Sequence, residues 1–227
     1  MEKYFQETVI PPGDEKPGGD MTGPERAFLE KYMGVDFEKT LAQKGLNRPA
    51  AVQSVTGPLG AASPGPRTSP AGEPDEDVMA GLRRAREIQM VIFFVGDQEF
   101  AIPIDLIQEV IRSVDPTRLP AAPYFVAGVM NLRGRVIPLL DMAALLGLPN
   151  HEDGQAFTII CRAKGLSMGL MVKRISTMRR TPNEDVEWGV EAQTGASADF
   201  LAGLMKAGDR LIKIISVDTL FQKALKS

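Results

Sequence analysis

From Met90 onward the chain runs in short β-rich segments: Met90–Val95, Phe100–Ile104, Val126–Leu132, Val136–Leu140, Phe157–Arg162, Ser167–Val172, Leu201–Lys206 and Leu211–Ser216. Gly96-Asp97, Arg133-Gly134, Lys164-Gly165 and Gly208-Asp209 fall between consecutive runs, where a tight hairpin needs a residue that tolerates positive φ. Ile175–Arg180 and a piece near Val186 are candidates for further edge strands. Many short strands, few helices and frequent glycine predict an all-β domain of small barrels rather than a parallel α/β sheet. Three aspartates each precede an apolar helical turn, at Asp105-Leu106-Ile107, Asp141-Met142-Ala143 and Asp218-Thr219-Leu220. They predict helix caps, with Asp105 and Gln108 spaced as a capping box, and their recurrence suggests two similar halves.

The first ninety residues follow different rules. Ten of the seventeen prolines lie before Asp75, and 45–75 is mostly Ala, Gly, Pro, Ser and Thr, with too little apolar surface to offset the entropy of ordering it. Residues 1–75 therefore read as a mostly disordered extension. Within it, Thr22-Gly23-Pro24-Glu25 has the form of a capping box and opens a helix to Met33. A second short helix is expected over 37–44, capped by Asp36 and ended by Gly45. Residues 76–89 predict a connecting helix, acidic at its start and basic toward its end, with Val78, Met79, Leu82 and Ile88 on its apolar face. The domain proper is 90–227, with halves expected at 90–149 and 155–227.

Composition narrows the chemistry. Before Met90 there are 11 basic and 14 acidic residues, and from Met90 on there are 15 of each, so the domain is neutral and lacks the basic stripe expected of a nucleic-acid binder. Three tyrosines and one tryptophan are too few for a base-stacking platform. No apolar run approaches membrane-spanning length and the N-terminus lacks a signal-peptide pattern, which predicts a cytoplasmic protein without membrane insertion.

A single cysteine and a single histidine, Cys161 and His151, leave too few soft ligands for a zinc site, and no metal or cofactor is expected. Phe157, Ile159 and Cys161 alternate on one strand face, so the thiol reads as a small core hydrophobe rather than a nucleophile. His151 reads as a solvated loop residue, and Glu184, Asp185, Glu187 and Glu191 as a surface charge run. No phosphate-cradling glycine motif occurs. The reading is non-enzymatic.

The informative segment is the hairpin from Gly128 to Asp141, which places Arg133 at its tip. Gly134 supplies a positive φ, leaving the guanidinium free for forked hydrogen bonds to a partner, although from spacing alone an arginine at a hairpin tip is more often a solubilising charge. Together with Val95–Pro103, the Asn131-Leu132-Arg133-Gly134 tetrapeptide, Pro138, Asp141 and Gly208-Asp209-Arg210, this hairpin resembles the CheW family of chemotaxis coupling proteins. The likeness runs from about Gln89 to Ala224.

The resemblance implies two five-stranded SH3-like barrels about a pseudo-twofold axis, with a hydrophobic groove between them that receives a chemoreceptor's cytoplasmic helical tip. It also implies barrel-to-barrel pairing with the regulatory domain of a CheA-type histidine kinase. Carried over by motif, the partner-binding positions are Ile107, Glu109, Gly128, Val129, Arg133, Gly134, Gly169, Ile175 and Met178. Ile107, Val129 and Ile175 read equally as core, and Gly128 and Gly169 as packing glycines. Lys173-Arg174-Ile175 stands where the family usually carries an acidic residue, which implies altered charge complementarity and allows a dedicated partner. A scaffold for a non-motility pathway is the alternative, with the N-terminal extension docking a partner of its own.

Overall fold

The computed structural model describes residues 23–33, 78–149, 156–163, 165–189 and 199–226; the expected helix over 37–44, the 45–75 segment and His151 lie outside them. Helix α1 (Gly23–Met33) and helix α2 (Val78–Arg84) precede strands β1 (Glu87–Val95), β2 (Gln98–Pro103) and β3 (Ile107–Arg112). Then come β4 (Val126–Leu132), β5 (Arg135–Asp141), α3 (Met142–Leu146), β6 (Phe157–Ala163), β7 (Leu166–Val172) and β8 (Arg174–Pro182). The chain ends through β9 (Val186–Trp188), β10 (Leu201–Ala207), β11 (Arg210–Ile215) and α4 (Val217–Lys226).

Among the described residues eleven strands form two sheets, ordered β3-β6-β7-β5-β4 and β8-β1-β2-β11-β10-β9. Both curl into small barrels. In the second, β8 and β9 lie at opposite ends of the order yet are joined only by the 3₁₀ turn Asn183–Asp185. A flat six-stranded sheet would set them roughly 24 Å apart, whereas three residues reach roughly 10–14 Å. In the first, the outer strands are brought together by an ion pair from Arg133, just past β4, to Glu109 on β3. Thr117, between those strands, also exchanges both backbone hydrogen bonds with Val129 of β4 at 2.9 Å.

The halves do not divide at 90–149 and 155–227 as expected. The five-stranded barrel is internal to the domain, from β3 to β7, and the six-stranded one is assembled from both ends of the sequence. The β1–β2 hairpin is responsible: β2 pairs in parallel with β11, at Lys213↔Phe100, and β1 pairs antiparallel with β8. Local apolar patterning defines each hairpin but carries no information on which distant hairpin completes it.

Pleating gives each sheet two apolar faces. Ile111, Met130, Leu132, Ile137, Leu139 and Ile160 pack together on one face of the first barrel. Ile88, Met90, Ile92, Met205, Ile212 and Ile214 do so in the second. The opposite faces meet in one shared cluster, where Phe93, Phe100 and Ile102 join Val129, Leu140, Ile159, Met168 and Leu170. Helices α3 and α4 fill it further with Met142, Leu145, Leu220 and Phe221. Each such fully buried side chain stabilises the fold by roughly 1.5–3 kcal/mol relative to exposure.

Local expectations fare differently. Asp141 caps α3, its carboxylate accepting from Ala144 N–H at 2.9 Å, and Gly147 closes the helix at φ 65°. Asp105 is not a cap: it sits in the 3₁₀ turn Ile104–Leu106 behind Pro103, with no side-chain cap bond, and the chain passes straight into β3. Gln108 instead accepts a hydrogen bond from Ser167 Oγ at 3.0 Å. At α4 the capping oxygen is Ser216 Oγ, which accepts from Thr219 N–H at 3.3 Å, rather than Asp218. The connecting helix expected over 76–89 ends at Arg84, because Ile88 and Met90 alternate into the core as part of β1.

Helix α1 forms as expected but does more than that pattern implies. Phe28, Leu29 and Tyr32 are buried in the shared cluster, with the Phe28 and Tyr32 rings edge to face at 4.8 Å. The Tyr32 hydroxyl donates to the carbonyl of Ala224 at 2.9 Å, and Lys31 Nζ to that of Leu225 at 2.8 Å. A helix has no internal donors for its last carbonyls and carries partial negative charge there, so α1 completes the C-terminal end of α4.

Candidate functional site

Strands β4 and β5 turn through two residues, Arg133 at φ 53° and Gly134 at φ 84°. Positive φ at both central positions is the geometry that matches the right-handed twist of paired strands, and it normally selects Asn-Gly or Gly-Gly. Arg133 is the one non-glycine residue with positive φ among the described residues. Asn131 Oδ1 pins the turn by accepting from Gly134 N–H at 2.9 Å.

The Arg133 side chain is 72% exposed, and its Nη2 lies 3.0 Å from Glu109 Oε2, whose own side chain is 22% exposed. Two of the predicted partner-binding residues are thus brought together although 24 positions separate them. One guanidinium face is held by the carboxylate and the remaining donors face solvent. Gly134 beside it is exposed, with open space around its α-carbon.

The other expected positions separate by burial. Val129 is fully buried in the shared cluster and touches no solvent, so it is core and not a contact residue. Gly128 at φ 150° lies against the backbone of Thr117, where a Cβ would meet the Thr117 carbonyl; it is a glycine of close approach, not of recognition. Gly169 faces inward on β7, where a Cβ would overlap Leu139 and lie 2.8 Å from Thr158 Cγ2, so it too is a packing glycine. Ile107 and Ile175 are half-buried, packed against the shared cluster from the two barrels. Met178 on the outer strand β8 is 45% exposed, and Gln89 Nε2 donates to its sulfur at 2.6 Å. The face the two barrels share is filled by the cluster and its helices.

Cys161 takes no part in any site. It is buried in β6, and loss of solvent pushes its thiol up to about 12. Because the folded thiol resists ionisation while an unfolded one titrates near 9, the protein is expected to keep this contribution below pH 9 and to lose it progressively as pH rises toward about 12. An aromatic disulfide reagent should leave the native thiol unlabelled and titrate one equivalent after unfolding. Rapid labelling of the native protein would show that the strand opens to solvent. No helix among the described residues is long and apolar enough to cross a membrane, and none of their acidic, histidine and cysteine side chains cluster as a metal site.

Comparison with known proteins meets this geometry. The family model described as the CheW-like domain matches residues 89–225, from β1 into α4. The chain belongs to the CheW family. The chemotaxis protein CheW of Thermotoga maritima is 32% identical over 139 residues, 61% of this chain and 90% of the relative. That of Helicobacter pylori is 30% identical over 137 residues, 60% and 82% respectively. Protein FrzA of Myxococcus xanthus is 28% identical over 156 residues, 66% of this chain and 94% of its own. Among solved structures, the scaffolding protein TtCheW from Thermoanaerobacter tengcongensis matches with a TM-score of 0.53 at 26% identity, covering 57% of this chain and 89% of that one.

The family's fold, two SH3-like barrels, is the one observed here, with a sixth strand in the second barrel. The basic Lys173-Arg174 pair, where the CheW resemblance leads one to expect an acid, is engaged within the chain. Lys173 Nζ lies 3.4 Å from Asp97 Oδ1, and the Arg174 guanidinium sits 3.5 Å from the centre of the Phe94 ring. Both contacts reach the β1–β2 hairpin, so the change in charge is absorbed in part by the barrel's own surface.

Two exposed features escaped the sequence reading. Tyr124, 81% exposed, stands edge-on to Phe125 in the segment before β4. Leu211 is exposed beside the Arg210–Glu99 ion pair, at an open depression lined also by Phe94, Gln98 and Lys213. Neither carries a sequence signal, because an aromatic just after a proline and an apolar residue in a strand look the same whether buried or exposed.

Proposed function

We propose that this chain is a non-enzymatic adaptor that couples chemoreceptor cytoplasmic tips to a CheA-type histidine kinase in the cytoplasm, within receptor arrays at the inner membrane. The observation that carries this reading is Arg133. A residue that tolerates positive φ poorly occupies the apex of an exposed hairpin turn, and its guanidinium is aimed by a carboxylate from across the barrel. Strain of that kind, which costs ~1–3 kcal/mol, gathers at functional positions. The family membership supports the same reading, since its relatives are chemotaxis proteins and its structural neighbour a scaffolding protein.

Residues Arg133, Gly134 and Glu109 form the partner-facing tip, with Met178 and the outer atoms of Ile107 and Ile175 as secondary contacts. A rigid tip with satisfied backbone suits recognition rather than turnover, because nothing at it is poised to exchange a proton or form a covalent bond. The test is reconstitution of the full chain with a CheA-type kinase and receptors in lipid discs. Receptor control of kinase autophosphorylation should require all three components. Control that is equally strong without this chain, or failure to bind either partner at tens of micromolar, would end the proposal.

A further inference from the structure

Helix α1 lies outside the segment that the family model covers, yet it is built into the core of that segment. A domain starting at residue 89 would present the α1 seat, beside β7 and the C-terminal end of α4, as an apolar surface with two uncapped carbonyls, those of Ala224 and Leu225. We infer that this seat is a helix-receiving groove, that α1 is its tethered occupant, and that it accepts in α1's place an amphipathic helix of a partner protein. The incoming helix would carry two adjacent large apolar residues and, one turn later near its C-terminal end, an aromatic hydroxyl or an ammonium group.

Four observations support exchange rather than permanent packing. An 11-residue helix is too short to persist by itself, so α1 is helical only while seated. The 44 residues 34–77 join it covalently to α2, so an α1 that leaves its seat stays on the same chain. The apolar anchors Phe28, Leu29 and Tyr32 fall at i, i+1 and i+4, the spacing by which a helix is read in a groove. Finally, the hydrogen bonds of Lys31 and Tyr32 go to main-chain carbonyls, which recognise a donor without specifying the chain it comes from. A tether of this kind holds its ligand at roughly millimolar effective concentration, so an untethered helix gains access only by competing. The inference concerns a surface separate from the Arg133 tip and stands whether or not that tip docks a kinase or receptor.

The test uses the full chain and a fluorescent peptide spanning residues 21–35. Wild type should bind the peptide weakly, Tyr32→Phe about tenfold more tightly, and the double variant F28D/L29D at least a hundredfold more tightly, each with an unchanged β-sheet circular-dichroism spectrum. A peptide in which the positions of Phe28 and Tyr32 are alanine should bind none of them. Because the double variant risks misfolding, hydrogen exchange on the wild type provides an independent reading: α1 amides should exchange at least a hundredfold faster than those of β7. Equal protection of α1 and β7 would make the helix an integral part of the fold and overturn the inference. Concentration-dependent dimers of wild type that exchange α1 between copies would also overturn it, since the occupant would then be a second copy of this chain.

Discussion

Gly128→Ala is expected to destabilise the protein by roughly 3–5 kcal/mol, shifting the urea midpoint by more than any other single-methyl change in the domain. Two effects combine. The residue sits at φ 150°, where an L side chain is strained by ~1–3 kcal/mol, and its Cβ would be driven into the backbone of Thr117, with the carbonyl carbon only 2.7 Å away. Backbone cannot rotate aside as a side chain can. The segment would have to retreat, and with it the paired hydrogen bonds between Thr117 and Val129, both 2.9 Å, that help close the first barrel. Gly147→Ala is the control: its φ of 65° is also left-handed, but a Cβ there meets nothing, so only the conformational cost of ~1–2 kcal/mol applies. Equal effects from the two substitutions would show that the Thr117 contact is not rigid and that closure at β4 is looser than described.

How much of this was legible beforehand follows the distance over which each feature is determined. The strands, the glycine turns, the Asp141 cap and helix α1 were legible because each depends on neighbours a few residues away. Strand β3 was not: Ile107–Arg112 follows a proline and an aspartate that mimic a helix start, and its pairing with β6, at Ile107↔Cys161, is fixed by residues fifty positions on. The same holds for the barrel boundaries, which depend on β2 finding β11. At the site, motif nominated Arg133, which is exposed, and Glu109, which is partly buried beside it, but it also nominated Val129, Gly128 and Gly169, which the fold has turned inward. A one-residue step along a strand exchanges inside for outside, so a motif marks a region of a hairpin more reliably than it assigns each side chain a face.

Burial also decides which parts of the surface can act as a binding face. With α1, α3 and α4 packed on the shared cluster, the apolar area left exposed or half-exposed lies at edges: Met178, the outer atoms of Ile107 and Ile175, Tyr124 and Leu211. Scattered apolar edges give little affinity without an anchor, which increases the weight on Arg133, whose guanidinium is oriented by Glu109.

Arg133→Asn separates the two roles of that residue because it moves them in opposite directions. Asparagine accepts positive φ more readily than arginine, and Asn-Gly is the favoured pair for a two-residue hairpin turn, so the variant should be more stable than wild type by roughly 0.5–1 kcal/mol. The Glu109 ion pair is lost, but an exposed pair toward the low end of its ~0–1 kcal/mol range leaves a net gain of at most about 1 kcal/mol. Binding should fall instead. An anchoring arginine at an interface is worth ~2 kcal/mol or more, so affinity for the kinase regulatory domain or the receptor tip should drop at least about thirtyfold. Arg133→Glu should drop it further, since the new carboxylate would face that of Glu109 and repel an acidic partner. A variant that gains stability while losing its partner would locate recognition in the guanidinium rather than in the shape of the turn. One that gains stability and binds as before would leave the strained arginine without a function and move the search to the edges of β8 and the depression beside Leu211.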